Sequence, residues 1–209
     1  MEQALTQKFA DLQENEVLEM VRQGLDKGAD PQEILQACQK AMVMVGEKFD
    51  EGVYFISDLM LSGQIFKQVY ELLSPQFKAG AVVSSFGKVV IGTIAGDIHD
   101  IGKDLVVGLL KANNYEVYDL GVDLKKEVFI QKLKETGATV LGLSGLLTVG
   151  YDAMKETIAA LKEEGLSDKV KVMIGGGPVD QGVCDYTGAD AWGDNAQTAV
   201  KLCKQWIGG

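Results

Sequence analysis

The sequence predicts an α plus α/β fold, in which an N-terminal four-helix bundle precedes a flavodoxin-like, Rossmann-type domain with a five-stranded parallel sheet. Up to about Leu73, apolar residues recur every three or four positions, as on one face of a helix. In the second half, short apolar runs alternate with helical stretches. Between the halves, Pro75 and Gly80 lie in a segment without a clear period. The expected boundaries are a helical domain over 1–74, a linker over 75–87 and an α/β domain over 88–209.

Four helices are predicted in the first part. The third has a clear start, because Asp30 is a suitable N-cap and Pro31 suits the first helical position. Asp50-Glu51-Gly52 breaks that helix, and Ser57 or Asp58 can begin the fourth. The apolar faces of the successive helices are Leu5, Phe9 and Leu12; Val17, Leu18, Val21 and Leu25; Ile34, Leu35, Cys38, Ala41, Met42, Val45 and Phe49; and Leu59, Met60, Ile65, Phe66, Val69 and Leu72.

Strands and helices alternate in the second part, which indicates a parallel sheet with right-handed crossovers and helices on both faces. With five strands, we expect the flavodoxin-like strand order. The predicted strands are 89–95, 116–120, 139–143, 170–174 and 189–192. The predicted helices are 103–113, 125–136, 151–164, 179–186 and 195–206.

Charge and composition exclude several classes of function. The net charge of -10 argues against non-specific binding to nucleic acid or to an anionic membrane. No apolar stretch approaches the ~18 residues of a transmembrane helix, and the polar N-terminus does not resemble a signal peptide. Cys38, Cys184 and Cys203 form no CxxC pair, so we expect free thiols. Together these features favour a cytoplasmic protein without nucleic-acid or membrane partners.

The most informative residue is His99, which is the only histidine in the chain. It lies in Gly96-Asp97-Ile98-His99-Asp100-Ile101-Gly102, between the first predicted strand and the following helix. Loops at the carboxyl ends of parallel strands are where such sheets bind ligands, and imidazole is the commonest metal ligand of proteins. Asp97 can fix the tautomer of the ring.

Two more loops should open on the same edge of the sheet. One contains Ser144, and the other contains the run Gly175 to Gly177. Ser144 could donate a hydrogen bond to Asp97, or it could simply cap a helix or bond within its loop. Gly102 and the three glycines allow close approach of backbone or ligand. A phosphate cradle is disfavoured, because no G-x-G-x-x-G follows the first strand.

These motifs resemble those of a known family. Asp97-x-His99-x-x-Gly102, then Ser144-x-Leu146, then Gly176-Gly177 is similar to the D-x-H-x-x-G, S-x-L and G-G signature of cobalamin-binding domains of the methionine synthase type. The run from Gly46 through Phe49 and Gly52 to Leu59 resembles the helical cap that precedes this domain in corrinoid methyl carriers. The resemblance covers essentially the whole chain.

The resemblance implies a role for each site residue. His99 would be the lower axial ligand of cobalt, with Asp97 and Ser144 behind it as tuning and proton-passing groups. The cofactor, cobalamin or a related corrinoid, would have its lower arm detached from cobalt and extended into the α/β domain. Phe55 and Leu59 would cover the upper, methyl-bearing face, although helical spacing equally fits bundle core, and the linker would be a hinge. Residues expected to line the channel of the arm are Gly102, Leu146, Thr148, Gly175, Gly176 and Gly177.

The function implied by the resemblance is methyl carriage on cobalt, with the corrinoid cycling between methylcobalamin and cob(I)alamin. The donor side would be a methyltransferase specific for methylamine, methanol, a betaine-like compound or a methoxy-aromatic compound. A second methyltransferase would pass the methyl group to tetrahydrofolate or a similar acceptor, and a reductive activase would restore the reduced cofactor. The protein would then be a component of an enzyme system and not a complete enzyme.

Three alternatives remain open from the residues. The same loop motifs fit the cobalamin-binding subunit of an adenosylcobalamin-dependent mutase, although an enclosing cap suits methyl storage better. A corrinoid sensor would need a DNA-binding module, for which neither a spare segment nor a basic face is present. A flavodoxin-like or response-regulator-like binding module without corrinoid is permitted by the fold alone.

Overall fold

The computed structural model describes residues 2–77 and 85–208. The chain divides into two compact units, Met1–Ser84 and Ser85–Gly209. Most of the predicted linker, residues 78–84, lies outside the described residues.

The first unit has the predicted four helices. The bounds are α1 Glu2–Ala10, α2 Glu14–Asp26, α3 Pro31–Asp50 and α4 Ile56–Leu73. Asp30 caps α3, because its side chain accepts a 2.9 Å hydrogen bond from the Gln32 N–H. Helix α1 ends before Leu12, whose φ of 56° lies in the left-handed region. Leu12 therefore does not continue the apolar face of α1 as predicted.

The connection between α3 and α4 is tied to the end of α1. The Lys48 ammonium contacts the Asp11 carboxylate at 2.8 Å and donates to the Ala10 carbonyl at 3.0 Å. The Tyr54 hydroxyl donates to the same carbonyl at 2.8 Å.

Helix α4 begins at Ile56, slightly earlier than predicted, and the Asp58 carboxylate accepts the Phe55 N–H at 2.8 Å. These contacts stabilise the segment that leads into α4.

The second unit is a five-stranded parallel sheet in the order β2-β1-β3-β4-β5, which confirms the flavodoxin-like prediction. The strands are β1 Lys88–Thr93, β2 Glu116–Asp119, β3 Val140–Ser144, β4 Lys171–Gly175 and β5 Ala191–Gly193. The helices are α5 Ile101–Ala112, α6 Lys126–Thr136, α7 Tyr151–Glu163, α8 Gln181–Thr187 and α9 Ala196–Ile207. Helix α5 packs against α9, whereas α7 packs between α6 and α8.

The core of this unit lies on the central strands. Val89, Val90 and Ile91 of β1 and Val140 and Leu141 of β3 are all buried. Such continuous apolar runs are expected where helices cover both faces of a parallel sheet. In the described ranges, no helix is both long enough and apolar enough to cross a membrane.

Candidate functional site

The register of the sheet brings three loops to one edge. Thr93, the last residue of β1, pairs with Ser144, the last residue of β3, and Ser144 pairs with Gly175, the last residue of β4. The loops that follow therefore leave the sheet side by side. As predicted, these are the loops that carry His99, Leu146 and the three consecutive glycines.

Asp97 and His99 form the centre of this edge. The Asp97 carboxylate is fully buried, and its Oδ1 lies 2.7 Å from the His99 Nδ1. The same oxygen accepts the His99 N–H at 2.9 Å. About half of the His99 side-chain surface, 51%, is exposed. The pair thus fixes the ring through Nδ1 and leaves Nε2 for a ligand.

The second oxygen of Asp97 is held by main-chain groups. Oδ2 accepts the Leu146 N–H at 2.6 Å and the Leu147 N–H at 3.0 Å. Burial by itself would raise the pKa of Asp97, but the hydrogen bonds from His99, Leu147 and Leu146 outweigh it and hold the pKa well below its ordinary value of 3.8. Asp97 is therefore an ionised acceptor, and the proton between it and His99 belongs to Nδ1.

The predicted hydrogen bond from Ser144 to Asp97 is absent among the described contacts. The four donors to the carboxylate are two from His99 and the N–H groups of Leu146 and Leu147. Ser144 contributes through its main chain instead, because its carbonyl accepts the Ile94 N–H at 3.1 Å. The main-chain N–H groups of Leu146 and Leu147 fill the place that was considered for the Ser144 hydroxyl, and no side-chain motif encodes such donors.

Two residues that position the His99 loop were missed by the sequence analysis. The Asp123 carboxylate accepts the Gly96 N–H at 2.8 Å, and the Asp123 N–H donates to the Asp97 carbonyl at 3.0 Å. The buried Thr93 hydroxyl donates to the His99 carbonyl at 3.0 Å. The sequence does contain a clue, because Gly121 and Asp123 are residues that favour turns. In the structure Asp123 has a φ of 55°, in the left-handed region.

A buried lysine anchors the helix that follows His99. Lys103 is only 3% exposed, and its ammonium lies 2.8 Å from the Asp119 carboxylate at the end of β2 and close to Asp104. Burial by itself would lower the pKa of Lys103, but the hydrogen bonds to Asp104 and Asp119 hold it above its ordinary value. Composition alone would place this lysine on the surface.

The predicted glycines have different roles. At Gly102 an added Cβ would meet no heavy atom within 4 Å, so this position is open to a ligand. At Gly176, which has a φ of +137°, a Cβ would lie 1.9 Å from the Gly145 carbonyl oxygen. At Gly177 it would lie 2.7 Å from Leu146 Cδ1, and at Gly175 it would lie 3.3 Å from the Gly193 carbonyl oxygen. Gly176 and Gly177 thus permit two loops to pack together.

The segments that follow β1 and β3 carry several exposed apolar side chains. The exposed side chains are Ile98, Ile101, Leu146, Leu147 and Val149, together with the polar Thr148. Exposed apolar residues grouped on a few loops are typical of a binding surface. The surface beside His99 therefore suits a large ligand with apolar edges.

The two predicted cap residues have opposite environments. Phe55 is 70% exposed, whereas Leu59 is 1% exposed and belongs to the core of the helical unit. Of the two roles left open for Leu59, the structure shows the packing one, because its side chain lies in the core of the bundle. Val53, Ile56 and Met60 are exposed near Phe55 in the sequence and were missed.

The side chains at this site favour a metal ion that is already bound by an organic ligand. Within the described residues, no group of three or more His, Cys, Asp or Glu side chains could hold a metal ion. His99 supplies one imidazole nitrogen, with open space at Gly102 and apolar side chains on the adjacent loops. A single axial ligand beside an apolar surface fits a metal held in a planar macrocycle.

Comparison with known proteins shows which family the chain resembles. Two models of a B12 binding domain match the chain, one over residues 1–74 and the other over residues 87–201. A dimethylamine corrinoid protein of Methanosarcina mazei is 37% identical over 179 residues, which cover 85% of this chain and 84% of the relative.

Two crystal structures resemble the chain over nearly its full length. A cobalamin-binding protein from Desulfitobacterium hafniense is 40% identical with a TM-score of 0.82, covering 100% of this chain and 99% of that one. A chain of the methanol:cobalamin methyltransferase complex from Methanosarcina barkeri is 30% identical with a TM-score of 0.84, covering 98% of this chain and 78% of that one.

Proposed function

Because the chain belongs to the family of B12-binding corrinoid proteins, we propose that it binds a corrinoid and carries a methyl group between two methyltransferases. One would be specific for the methyl donor. The other would pass the methyl group to tetrahydrofolate or a similar acceptor.

The observation that carries the proposal is the pairing of His99 with Asp97. The 2.7 Å contact from Nδ1 to Oδ1 leaves Nε2 as the donor atom on a half-exposed ring. His99 would hold the metal of the corrinoid through Nε2, and the ionised Asp97 would keep the proton on Nδ1 and fix the orientation of the ring. When bound, the corrinoid supplies a cobalt centre that accepts and releases a methyl group.

The remaining site residues would hold the detached lower arm of the cofactor. Gly102 provides open space beside His99, and Thr148 is exposed on the adjoining loop. Ser144 ends β3 next to Gly175, the last residue of β4. We assign the arm to this edge of the sheet, with Leu146 and Gly175 to Gly177 forming the loops that enclose it.

Phe55 is the candidate for covering the upper face of the corrin. Its ring is exposed, and so are the apolar side chains of Val53, Ile56 and Met60, which are close to it in the sequence; together they would form an apolar patch on the helical unit. An apolar cover would exclude water from a reactive cobalt centre. Leu59 would support this patch from within the bundle.

The names of similar proteins suggest the class of methyl donor and partner. One is called a dimethylamine corrinoid protein, and another belongs to a methanol:cobalamin methyltransferase complex. We therefore propose a small methylated amine or methanol as the donor, with the donor's methyltransferase as a docking partner. A reductive activase would return oxidised cofactor to the active state.

The experiment is a methyl-transfer assay with the reduced, corrinoid-loaded protein. Methyltransferases for methylamines, methanol, betaines and methoxy-aromatic compounds would each be supplied with their donor, and methylation of the bound corrinoid would be followed by absorbance. We expect methylation by one class and transfer onward to an acceptor by a second methyltransferase. Retention of adenosylcobalamin in preference to methylcobalamin, without methylation by any class, would instead support a mutase subunit.

A further inference from the structure

One buried polar atom in the α/β unit lacks a partner. Among the side-chain nitrogen and oxygen atoms of the described residues, the Tyr151 hydroxyl oxygen is the one buried atom without a hydrogen bond. Burying a hydroxyl without a partner costs about 1–3 kcal/mol. Such an atom in a native protein calls for an explanation, and a ligand acceptor is one.

The position of Tyr151 relates it to the candidate site. It is the first residue of α7 and follows the short 3₁₀ turn Thr148–Gly150, in the loop that carries Leu146. Its ring packs against the apolar core cluster of the sheet, which includes Ile94 and Val179. Tyr151 thus begins the helix that follows the loop of Gly145, and the charge of Asp180, which follows the loop of Gly176, acts on its hydroxyl.

The charge near this hydroxyl restricts what it can bind. Burial raises the pKa of Tyr151, and the negative charge of Asp180 raises it further. The hydroxyl therefore keeps its proton and acts as a donor. A phosphate beside Asp180 would suffer like-charge repulsion, whereas a neutral acceptor would not. Its apolar surroundings favour an aromatic acceptor.

A corrinoid bound through His99 has such an acceptor. If His99 holds the metal, the heterocyclic lower base of the corrinoid would not be bound to it, and the ring nitrogen of that base would be free to accept a hydrogen bond. That nitrogen is an uncharged acceptor on an otherwise apolar ring. If it is buried, it needs a donor, just as the Tyr151 hydroxyl needs an acceptor.

We infer that the Tyr151 hydroxyl donates a hydrogen bond to the ring nitrogen of the displaced lower base, and that this residue selects corrinoids with a nitrogen-heterocyclic base. This inference rests on the proposed corrinoid-binding function. It assigns to Tyr151 a part in cofactor specificity that the loop motifs do not include.

The test compares the Tyr151→Phe variant with wild type for three corrinoids. These are cobalamin, a cobamide with a phenolic lower base that lacks a ring nitrogen, and cobinamide, which lacks the lower base. Affinities would be measured by equilibrium dialysis of the protein purified free of cofactor. The matched control is Tyr186→Phe, because the Tyr186 hydroxyl is exposed and donates to Asp152.

We expect Tyr151→Phe to weaken cobalamin binding about fivefold to tenfold, the equivalent of one neutral hydrogen bond. Binding of the phenolic cobamide and of cobinamide should not change, and Tyr186→Phe should change none of the three. Without cofactor, Tyr151→Phe should unfold at the same temperature as wild type or higher, because it removes an unpaired buried hydroxyl.

Unchanged cobalamin affinity in Tyr151→Phe would overturn the inference. An equal loss for all three corrinoids would also overturn it, because Tyr151 would then support the loops instead of contacting the base. Failure of the wild type to bind any of the three would contradict the proposed function itself, which is a distinguishable result.

Discussion

The Nδ1 atom of His99 lies 2.7 Å from the Oδ1 atom of Asp97, and this carboxylate also receives three main-chain N–H groups. A fully buried carboxylate with four donors behaves as a fixed anchor. Because two of the donors come from Leu146 and Leu147, the anchor joins the His99 loop to the loop after β3. The orientation of His99 thus depends on both loops.

Replacing Asp97 by Asn should destabilise the α/β unit. The amide would place its NH₂ against N–H donors, and we expect the free energy of unfolding to fall by about 3 kcal/mol. Urea unfolding followed by tryptophan fluorescence would measure this, because Trp192 and Trp206 both lie in this unit. The matched control is Asp100→Asn, which changes an exposed carboxylate of the same loop. An equal effect of both changes would contradict the anchor role.

The contribution of Asp97 should depend on pH in a defined direction. Its pKa is depressed in the folded protein, so its stabilising effect is fully present above the unfolded-state pKa near 4 and is lost as the pH falls towards the folded-state value. The stability gap between wild type and Asp97→Asn should therefore shrink as the pH falls from about 4 towards the folded-state value of Asp97. Urea unfolding at several pH values would measure it, and a gap that widens on acidification would disprove this linkage.

Removing a carboxylate partner of the buried Lys103 should lower the free energy of unfolding more than replacing Lys103 itself. Asp119→Asn takes away one of the two carboxylates that pair with the buried ammonium and leaves Asp104, which is mostly exposed. Removing the partner of a buried charge typically costs about 3–5 kcal/mol, and we expect the lower end because Asp104 remains. Lys103→Met keeps the apolar stem and should cost less, and Lys103→Met combined with Asp119→Asn should recover most of the loss. A double-mutant cycle by urea unfolding measures the coupling. Additive effects would show that the two groups are independent.

Gly102 and Gly176 should respond in opposite ways to substitution by Ala. At Gly176 the Cβ would collide with the Gly145 carbonyl in a left-handed backbone, so we expect a loss of stability of about 2–4 kcal/mol. At Gly102, which is in α5 with open space around it, Ala should stabilise the cofactor-free protein by up to about 1 kcal/mol. Thermal unfolding would measure both changes. If the corrinoid occupies the space at Gly102, the same Ala should weaken its binding.

Substitutions of Leu59 and Phe55 should have different effects, one on the stability of the bundle and the other on the proposed covering of the cofactor. Leu59→Ala removes a fully buried side chain and should cost about 2–4 kcal/mol in the helical unit, measured by circular dichroism. Phe55→Ala should change stability by less than about 1 kcal/mol, because the ring is mostly exposed. In the loaded protein, Phe55→Ala should speed oxidation of the reduced cofactor. An unchanged oxidation rate would remove Phe55 from the proposed cover.

The sequence predicted the elements and the strand order well, because apolar periodicity and cap residues such as Asp30 are local signals. It also placed His99 and Asp97 on the correct loop. It did not foresee contacts made by the main chain, such as the N–H groups of Leu146 and Leu147 that donate to Asp97. Residue identity does not report which way a loop backbone turns.

Two other failures have a different cause. Helical spacing could not decide whether Leu59 faces inwards, because α4 has apolar residues on more than one side. The buried Lys103 was missed because its partner Asp119 is distant in sequence and is brought near only by the pairing of β1 with β2. The orientation of Leu59 and the burial of Lys103 both depend on tertiary packing, which the sequence pattern does not report.

Whether His99 binds cobalt can be tested by isotope labelling, because it is the only histidine in the chain. Tag-free protein grown with nitrogen-15 histidine would carry the label in its imidazole at this one position. After loading with unlabelled cobalamin and reduction to cobalt(II), the electron paramagnetic resonance spectrum reports the nuclear spin of the lower axial nitrogen. Unlabelled protein should show each cobalt line split into a triplet.

We expect the triplet to become a doublet in the labelled protein, because the coordinating nitrogen is then the labelled Nε2 of His99. The His99→Ala variant should show neither the doublet nor a strong lower-face nitrogen splitting. A triplet that persists in the labelled protein would mean that the ligand is the lower base of the cofactor, and it would contradict the assignment of His99.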